Sequence, residues 1–413
     1  MASTPSAPAA PLPPGPGPLA GLLVLDLSRV LAGPYCSMML GQLGARIVKI
    51  ERPGAGDDTR GFGPPFVAGE AAYYLGCNSD KESVAIDLGH PRGRVLGQRL
   101  AARADVVLEN FRPGTAEKLG LGYEALRAHN ERLVYCSISG FGHGGLPEYG
   151  RRGGYDLIVQ GLGGIQSLTG PPEGPPFKVG TSIADLASGL HAVIGILAAL
   201  EARHRTGRGQ HVDVSMLDGQ ITLLSYQAQI HWATGADPRR MGNAHPNLVP
   251  YETYAASDGH FNIGVGTDAM FGALCRAVGR VEWLADTRFS TNAARVENRD
   301  ALGTLLAPLF AARPVDEWLA LCDRLAIPAG RIQSVSQAVA HEQVRARGTV
   351  RALPHPTAGT VNVVGLPFLL SDTPAGPRRA APLLGEHTDA VLNELCGADT
   401  GELAALRRDG VIA

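Results

Sequence analysis

The chain has 413 residues, 45% of them hydrophobic and 18% charged, ordinary for a folded soluble protein and long enough for one large core or two smaller ones. Its formal net charge of -2 comes with lysine and arginine scattered rather than striped, which argues against nucleic acid as a partner. Six cysteines (Cys36, Cys77, Cys136, Cys275, Cys322, Cys396) show no C-x-x-C pair and no histidine at zinc spacing, so no metal is expected and a reduced, cytoplasmic setting is.

Residues 1–18 carry neither a charged side chain nor an apolar run, and are read as a disordered leader, not a signal peptide. From Leu22 the pattern is βαβ: LLVLDL a strand, SRVLAGP a turn, PYCSMMLGQLG a helix stopped by glycine, ARIVKIE a second strand. Strands follow at SVAIDL (83–88), DVVLEN (105–110) and RLVYCSIS (132–139), with helices after Pro91, near Ala116 and at YEALRAHN, the rhythm of an open parallel α/β sheet. A glycine-rich stretch then leads into DLASGLHAVIGILAALEARHRTG, a helix with Asp185 in N-cap position and a closing glycine. Its apolar run, Leu190 to Leu200, is too short for a bilayer and reads as a buried helix. A further strand, QHVDVSM, and another helix follow. PYETYAASDGHFNIGVG reads as a hairpin with a D-G turn, followed by amphipathic helices, a smaller α+β domain. Expected boundaries are 1–18 for the leader, 19–229 for the first part of the large domain, 230–330 for the small one, and 331–413 for a tail returning to the large one.

A parallel sheet holds ligands at the carboxyl ends of its strands, so three loops carry candidate chemistry. SRVLAGP offers Arg29 and a close backbone approach at Ala32-Gly33; ERPGAGDDTR offers Arg52; ENFRPGTAEKLG combines Asn110, Phe111, Arg112 and Lys118, the mixture that adenine stacking and phosphate pairing need. The G-x-G-x-x-G fingerprint, the P-loop, G-x-S-x-G and H-E-x-x-H are all missing from the sequence, which shifts weight toward carboxylate chemistry. Asp185 is the carboxylate that stands out, although capping alone would explain it.

The blocks DLSRVLAGPYCSMMLGQLGARIVKIERPGAGDDTR, ENFRPGTAEKLGLGYE, SGFG, GGYDLIVQGLGG, IADLASGLHAVIGILAALEARHRTGRGQHVDVSMLDG and PLLGEHT, in that order, resemble the family III coenzyme A transferases (formyl-CoA transferase-like, CaiB/BaiF) from Leu19 onward. The resemblance implies a large Rossmann-like domain built from both chain ends, a small central domain, and two chains interlocked as linked rings. It also implies that Asp185 is the nucleophile, forming an aspartyl-acyl anhydride and then an aspartyl-CoA thioester, with CoA thioesters as substrates and no permanently bound cofactor. Contacts to CoA fall by the same resemblance on Val30, Ala32, Arg52, Leu88, Asn110, Phe111, Arg112, Lys118 and Tyr155, with Arg29 adjacent.

Departures narrow the branch. Oxalate-type members carry glutamine where Leu31 stands, and the α-methylacyl-CoA racemases pair the aspartate with a histidine where this chain has Tyr155. RRMGNAHPNLVPYETY and ERPGAGDDTRGFGPPFV look most like the branch that moves CoA from succinyl-CoA to dicarboxylates such as glutarate, with malate, itaconate or benzylsuccinate as other acceptors. A second carboxylate on the acceptor needs polar or cationic partners, for which Arg29, Arg239, Arg240, Asn243 and His245 are candidates. A racemase and a non-catalytic CoA-binding protein remain the alternatives.

Overall fold

Six apolar segments lie side by side in one parallel sheet: β1 (Leu23–Asp26), β2 (Arg46–Glu51), β5 (Lys81–Ala85), β6 (Val106–Glu109), β7 (Val134–Ser139) and β8 (His211–Ser215), in the order β5-β2-β1-β6-β7-β8. Between β2 and β5, β3 (Phe66–Val67) and β4 (Glu70–Ala71) form a small hairpin. The structure is a computed structural model that describes residues 15–413, so most of the leader expected over 1–18 lies outside the described residues.

Both faces of the sheet are covered, which is why its strands are almost continuously apolar. On one face, Val24, Ile47, Leu108 and Ile138 pack with the helices Ala32–Gln42 and Ile183–Thr206. On the other, Leu25, Val48 and Val107 meet Leu96 and Leu100 of the helix Pro91–Arg103. The C-terminal helices Thr388–Cys396 and Thr400–Arg408 add Val391, Leu392, Leu403 and Leu406 to that second core.

Packing divides the chain into two compact units, one running up to Ile165 and including Lys178–Ala233 and His341–Ala413, the other made of Gln166–Phe177 and Thr234–Ala340. The first holds the six-stranded sheet and the ribbon of β12 (Val350–His355) and β13 (Gly359–Val364). The second has the antiparallel sheet β11-β10-β9, made by β9 (Tyr251–Ala256), β10 (Gly259–Gly264) and β11 (Ala329–Arg331), over a core of Phe261, Phe271, Phe310 and Trp318.

Two local expectations shift. The third strand runs Lys81–Ala85, two residues ahead of the apolar run SVAIDL, because the Lys81 ammonium is drawn inside to Asp26 (3.1 Å). Past the strand's end, Ile86 instead bridges to Ile412. The helix Ile183–Thr206 is long and apolar enough to cross a membrane, yet Ala184, Ala192, Val193, Ile196 and Leu200 pack it into the core. It is not wholly buried, since Leu190, Ile194 and Leu197 face outward, Ile194 with 63% exposure.

Candidate active site

In this strand order the chain leaves β1 toward β2 on one side and the later strands extend from β6 on the other. The loops after β1 and β6 therefore part and leave a crevice at the carboxyl ends, the usual ligand position in such sheets. The β1 loop is held in an unusual shape. Val30, β-branched, sits at φ 69°, a region that costs such residues about 1–3 kcal/mol unless the surroundings impose it. The surroundings do impose it: the Arg29 N–H donates to Asn110 Oδ1 (2.8 Å), Asn110 Nδ2 donates to the Arg29 carbonyl (2.7 Å), and the Val30 N–H donates to Asp57 Oδ1 (3.2 Å). A Cβ on Gly33 would lie 2.2 Å from that of Ser28, so only glycine fits where the loop turns into its helix.

Beneath the loop lies a buried ionic cluster. Asp26 receives Lys81 Nζ and the hydroxyls of Ser28 and Ser37, while Lys49 Nζ reaches the Ser28 carbonyl (2.8 Å) and Asp57 (2.9 Å). Burial alone would raise the Asp26 pKa; Lys81 and Lys49, helped by the two hydroxyls, outweigh it and hold the carboxyl well below the usual carboxylate range.

The cleft above is lined by Arg29, Val30, Leu31, Ala32, Asn110, Phe111, Arg112, Tyr155 and Asp185. A groove next to it shares Arg29 and Phe111 and adds Arg52 and Leu88. Every candidate from the first unit thus lines one of these two recesses except Lys118, which lines neither. Arg29 and Arg52 both pair with Asp58 (3.1 and 2.9 Å), which keeps two half-exposed guanidiniums at the rim where a phosphate can take over from the carboxylate. Arg29 also lies 6.0 Å from the centre of the Phe111 ring.

Asp185 does not cap its helix. Ser182 is the N-cap residue, and the Ala184 N–H is taken by Asp156 Oδ1 (2.8 Å), reaching over from the helix Asp156–Leu162. Asp185 is the third helical residue, and its carboxylate has neither a hydrogen bond nor an ion pair among the described residues. Burial, and secondarily the nearby Asp156 carboxylate, push its pKa up to about 7. The carboxyl is therefore far from the fully ionised, ordinary acid that its residue type suggests. Behind it, Gly140 and Gly154 meet back to back; a Cβ on either would come within 2.6 and 2.3 Å of the other's Cα.

Sequence reasoning missed three residues here: Asp58, Asp156 and Arg152. Asp58 follows Arg52 in GAGDD, and the two others bracket Tyr155 in RRGGYD, so proximity to residues already chosen was the available signal. Arg152 lines the cleft with its guanidinium 4.4 Å from the Tyr149 ring centre and no ion pair among the described residues.

Arg239, Arg240, Asn243 and His245 belong to the second unit. The Arg240 guanidinium is committed to the carbonyls of Pro171 (3.2 Å) and Gly174 (2.7 Å). His245 Nδ1 accepts the Asn247 N–H (3.0 Å), and Asn243 lines a recess on the β9–β10 sheet. Arg239 is exposed.

Comparison with known proteins bears on this geometry. Residues 19–388 match the family model described as CoA-transferase family III. The chain is 39% identical to the mouse (Mus musculus) succinyl-CoA:glutarate CoA-transferase, over 96% of this chain and 90% of that one. It is 42% identical to the succinate--glutarate CoA-transferase of Agrobacterium fabrum, over 92% and 96%. Among solved structures it resembles a CAIB/BAIF family protein from Brucella suis, with 44% identity, a TM-score of 0.82, and coverage of 92% of this chain and 100% of that one.

Proposed function

Because the chain belongs to CoA-transferase family III and is a CoA-transferase, we propose that it moves CoA from succinyl-CoA to a small dicarboxylic acid of the glutarate type, through covalent intermediates on Asp185. The observation that carries this reading is the Asp185 carboxylate, left without a partner on the wall of a cleft whose rim bears arginines.

In the forward half-reaction the Asp185 carboxylate attacks the thioester carbonyl and CoA leaves as the thiolate, giving an aspartyl-acyl anhydride. The thiolate attacks the aspartyl carbonyl and releases the donor acid, leaving an aspartyl-CoA thioester. The acceptor carboxylate then attacks that thioester, and the returning thiolate takes the new acyl group and frees Asp185. A pKa of about 7 fits both roles of this carboxylate, because the oxygen is more nucleophilic than that of an ordinary carboxylate and still a competent leaving group in the return step. Both covalent intermediates are open to hydrolysis, so a half-buried carboxylate also limits attack by water.

For the CoA moiety, Phe111 and Leu88 offer apolar faces to the adenine, and Arg29 and Arg52 offer charge to the phosphates. With Arg29 assigned to the phosphates and Arg240 held by carbonyls of its own unit, Arg112 and Arg152 are the cations offered to a distal carboxylate in the cleft. The activities for which the mouse and Agrobacterium relatives are named support a five-carbon diacid as acceptor. The outward apolar face of Leu190, Ile194 and Leu197 supports self-association into a homodimer.

Incubation with succinyl-CoA and a panel of glutarate, malate, itaconate and oxalate, read by mass spectrometry, tests the reading. Glutaryl-CoA is the expected dominant product, together with a CoA adduct on Asp185 that hydroxylamine converts to a hydroxamate. Exchange with no acid of the panel by folded protein overturns the substrate class, and full activity in Asp185→Ala overturns the mechanism. A racemase would instead exchange the α-proton of a 2-methylacyl-CoA in deuterated water.

A further inference from the structure

Behind the cleft, between the ends of β6, β7 and β8, lies a group of titratable side chains that the transfer chemistry does not use. Glu109, the last residue of β6 and 1% exposed, accepts the Phe111 N–H at Oε2 (2.7 Å) and so sets the path of the Asn110–Arg112 strip. Its other oxygen faces His143 Nε2 at 3.9 Å, too far for a hydrogen bond and close enough for an ion pair. That nitrogen is buried and has no hydrogen-bond partner among the described residues. His143 lies in the loop after β7, just beyond Gly140, Phe141 and Gly142, which line the cleft with Ser139 at the strand's end, and its own N–H donates to Asp213 Oδ2 (2.9 Å).

We propose that Glu109 and His143 are paired positioning residues: a proton on the imidazole closes the gap to the carboxylate and ties the Phe111 strip to the Ser139–Gly142 loop, tightening the cleft around CoA. The inference rests on the CoA-transferase reading of that cleft. The other groups facing the pair are His211, whose ring lies 5.6 Å from that of His143, and Asp213, with Ser137 between Glu109 and His211 (Oγ to Nε2, 2.9 Å) and Tyr135, Glu117 and Glu124 nearby. Burial raises the Glu109 carboxyl, with Ser137 and the Phe111 N–H opposing it, and burial lowers the His211 imidazole. With the proton present, the contact joins the end of β6 to the loop after β7. Without it, the imidazole nitrogen stays unsatisfied.

The test is calorimetric titration of free CoA into full-length protein carrying Asp185→Asn, which silences the nucleophile, from pH 5.5 to 8.5, the range in which imidazoles take up a proton. CoA should bind about fivefold tighter at the acid end, the scale of one charge-assisted contact at a partly solvated site. Adding Glu109→Gln, which keeps an acceptor for the Phe111 N–H, should flatten the profile, and His143→Asn should flatten it to the same degree, with no further change in the double variant. A profile that survives in either variant, or that disappears in His211→Gln instead, overturns the proposal. Folding of each variant is checked by its melting curve, and the conservative Glu109→Gln keeps the test decisive if Glu109→Ala fails to fold. Absence of CoA binding at every pH would strike the CoA-transferase reading of the cleft, whereas pH-independent binding strikes only the Glu109–His143 pair.

Discussion

Two sets of carboxylates at the same end of the sheet are treated in opposite ways. Asp26 and Asp57, under the β1 loop, are buried against Lys81 and Lys49, and the Asp26 carboxyl is held low by those cations. Asp185, across the crevice, is given no cation, and burial with the neighbouring Asp156 pushes it up. The paired charges hold the shape of the loop, Val30 included, through Asp57, while the unpaired carboxyl lines the cleft and keeps its proton to higher pH.

The largest expected effect breaks the contrast at its reactive end. Asp185→Ala should lower CoA exchange by at least about 1000-fold, read by mass spectrometry, because in the proposed mechanism both covalent adducts form on that side chain. At the structural end, Lys81→Met leaves Asp26 buried without its partner and should cost about 3–5 kcal/mol of stability in urea unfolding. A cost below about 1 kcal/mol would mean that the cluster does not hold the loop.

The contrast is sharpened by pH. Asp185 must be ionised to attack, so kcat/KM should rise with pH to a midpoint of about 7 and level off above it. A profile flat from pH 5 to 8 would place Asp185 among ordinary carboxylates. The same shift has a stability cost of known sign. Between the ordinary acid range and pH 7 the folded protein holds the Asp185 proton more tightly than the unfolded chain does, so stability falls as pH rises through that interval. Asp185→Asn should therefore stabilise the protein by roughly 2 kcal/mol at pH 8 and by almost nothing near pH 4, measured by thermal melts. Smallest of all, Asp156→Asn keeps an oxygen for the Ala184 N–H but removes the neighbouring charge, and should move the kcat/KM midpoint toward acid by about half a pH unit.

The sheet was legible because LLVLDL, ARIVKIE, DVVLEN and RLVYCSIS are apolar runs bounded by turn residues, and burial on both faces leaves that trace. Lys81 was not legible as the start of a strand, since a buried lysine is recognised only with its partner, and Asp26 is remote in sequence. In the site, the residue types at Arg29, Phe111 and Arg112 pointed to the cleft they line, while the resemblance added Tyr155 and assigned Asp185 a role that local pattern could not separate from capping. Asp58, Asp156 and Arg152 carried only their nearness to chosen residues, because what they do depends on contacts that the sequence pattern does not show: a bridge to two arginines, a borrowed helix cap, a stack on Tyr149. Arg239 to His245 were chosen for their chemistry although the expected boundaries already put them in the small domain, and they belong to the second unit.

The contact between Gly140 and Gly154 bears on how this scaffold can diversify. With each main chain standing where the other's first side-chain carbon would go, neither position can accept a single substitution without forcing apart the two ends of the connection from β7 to the helix Asp156–Leu162. Divergence toward other acids is therefore closed along this wall, and directed evolution of acceptor preference should concentrate on Leu31, Tyr155 and Arg152, leaving the pair of glycines untouched in every active clone.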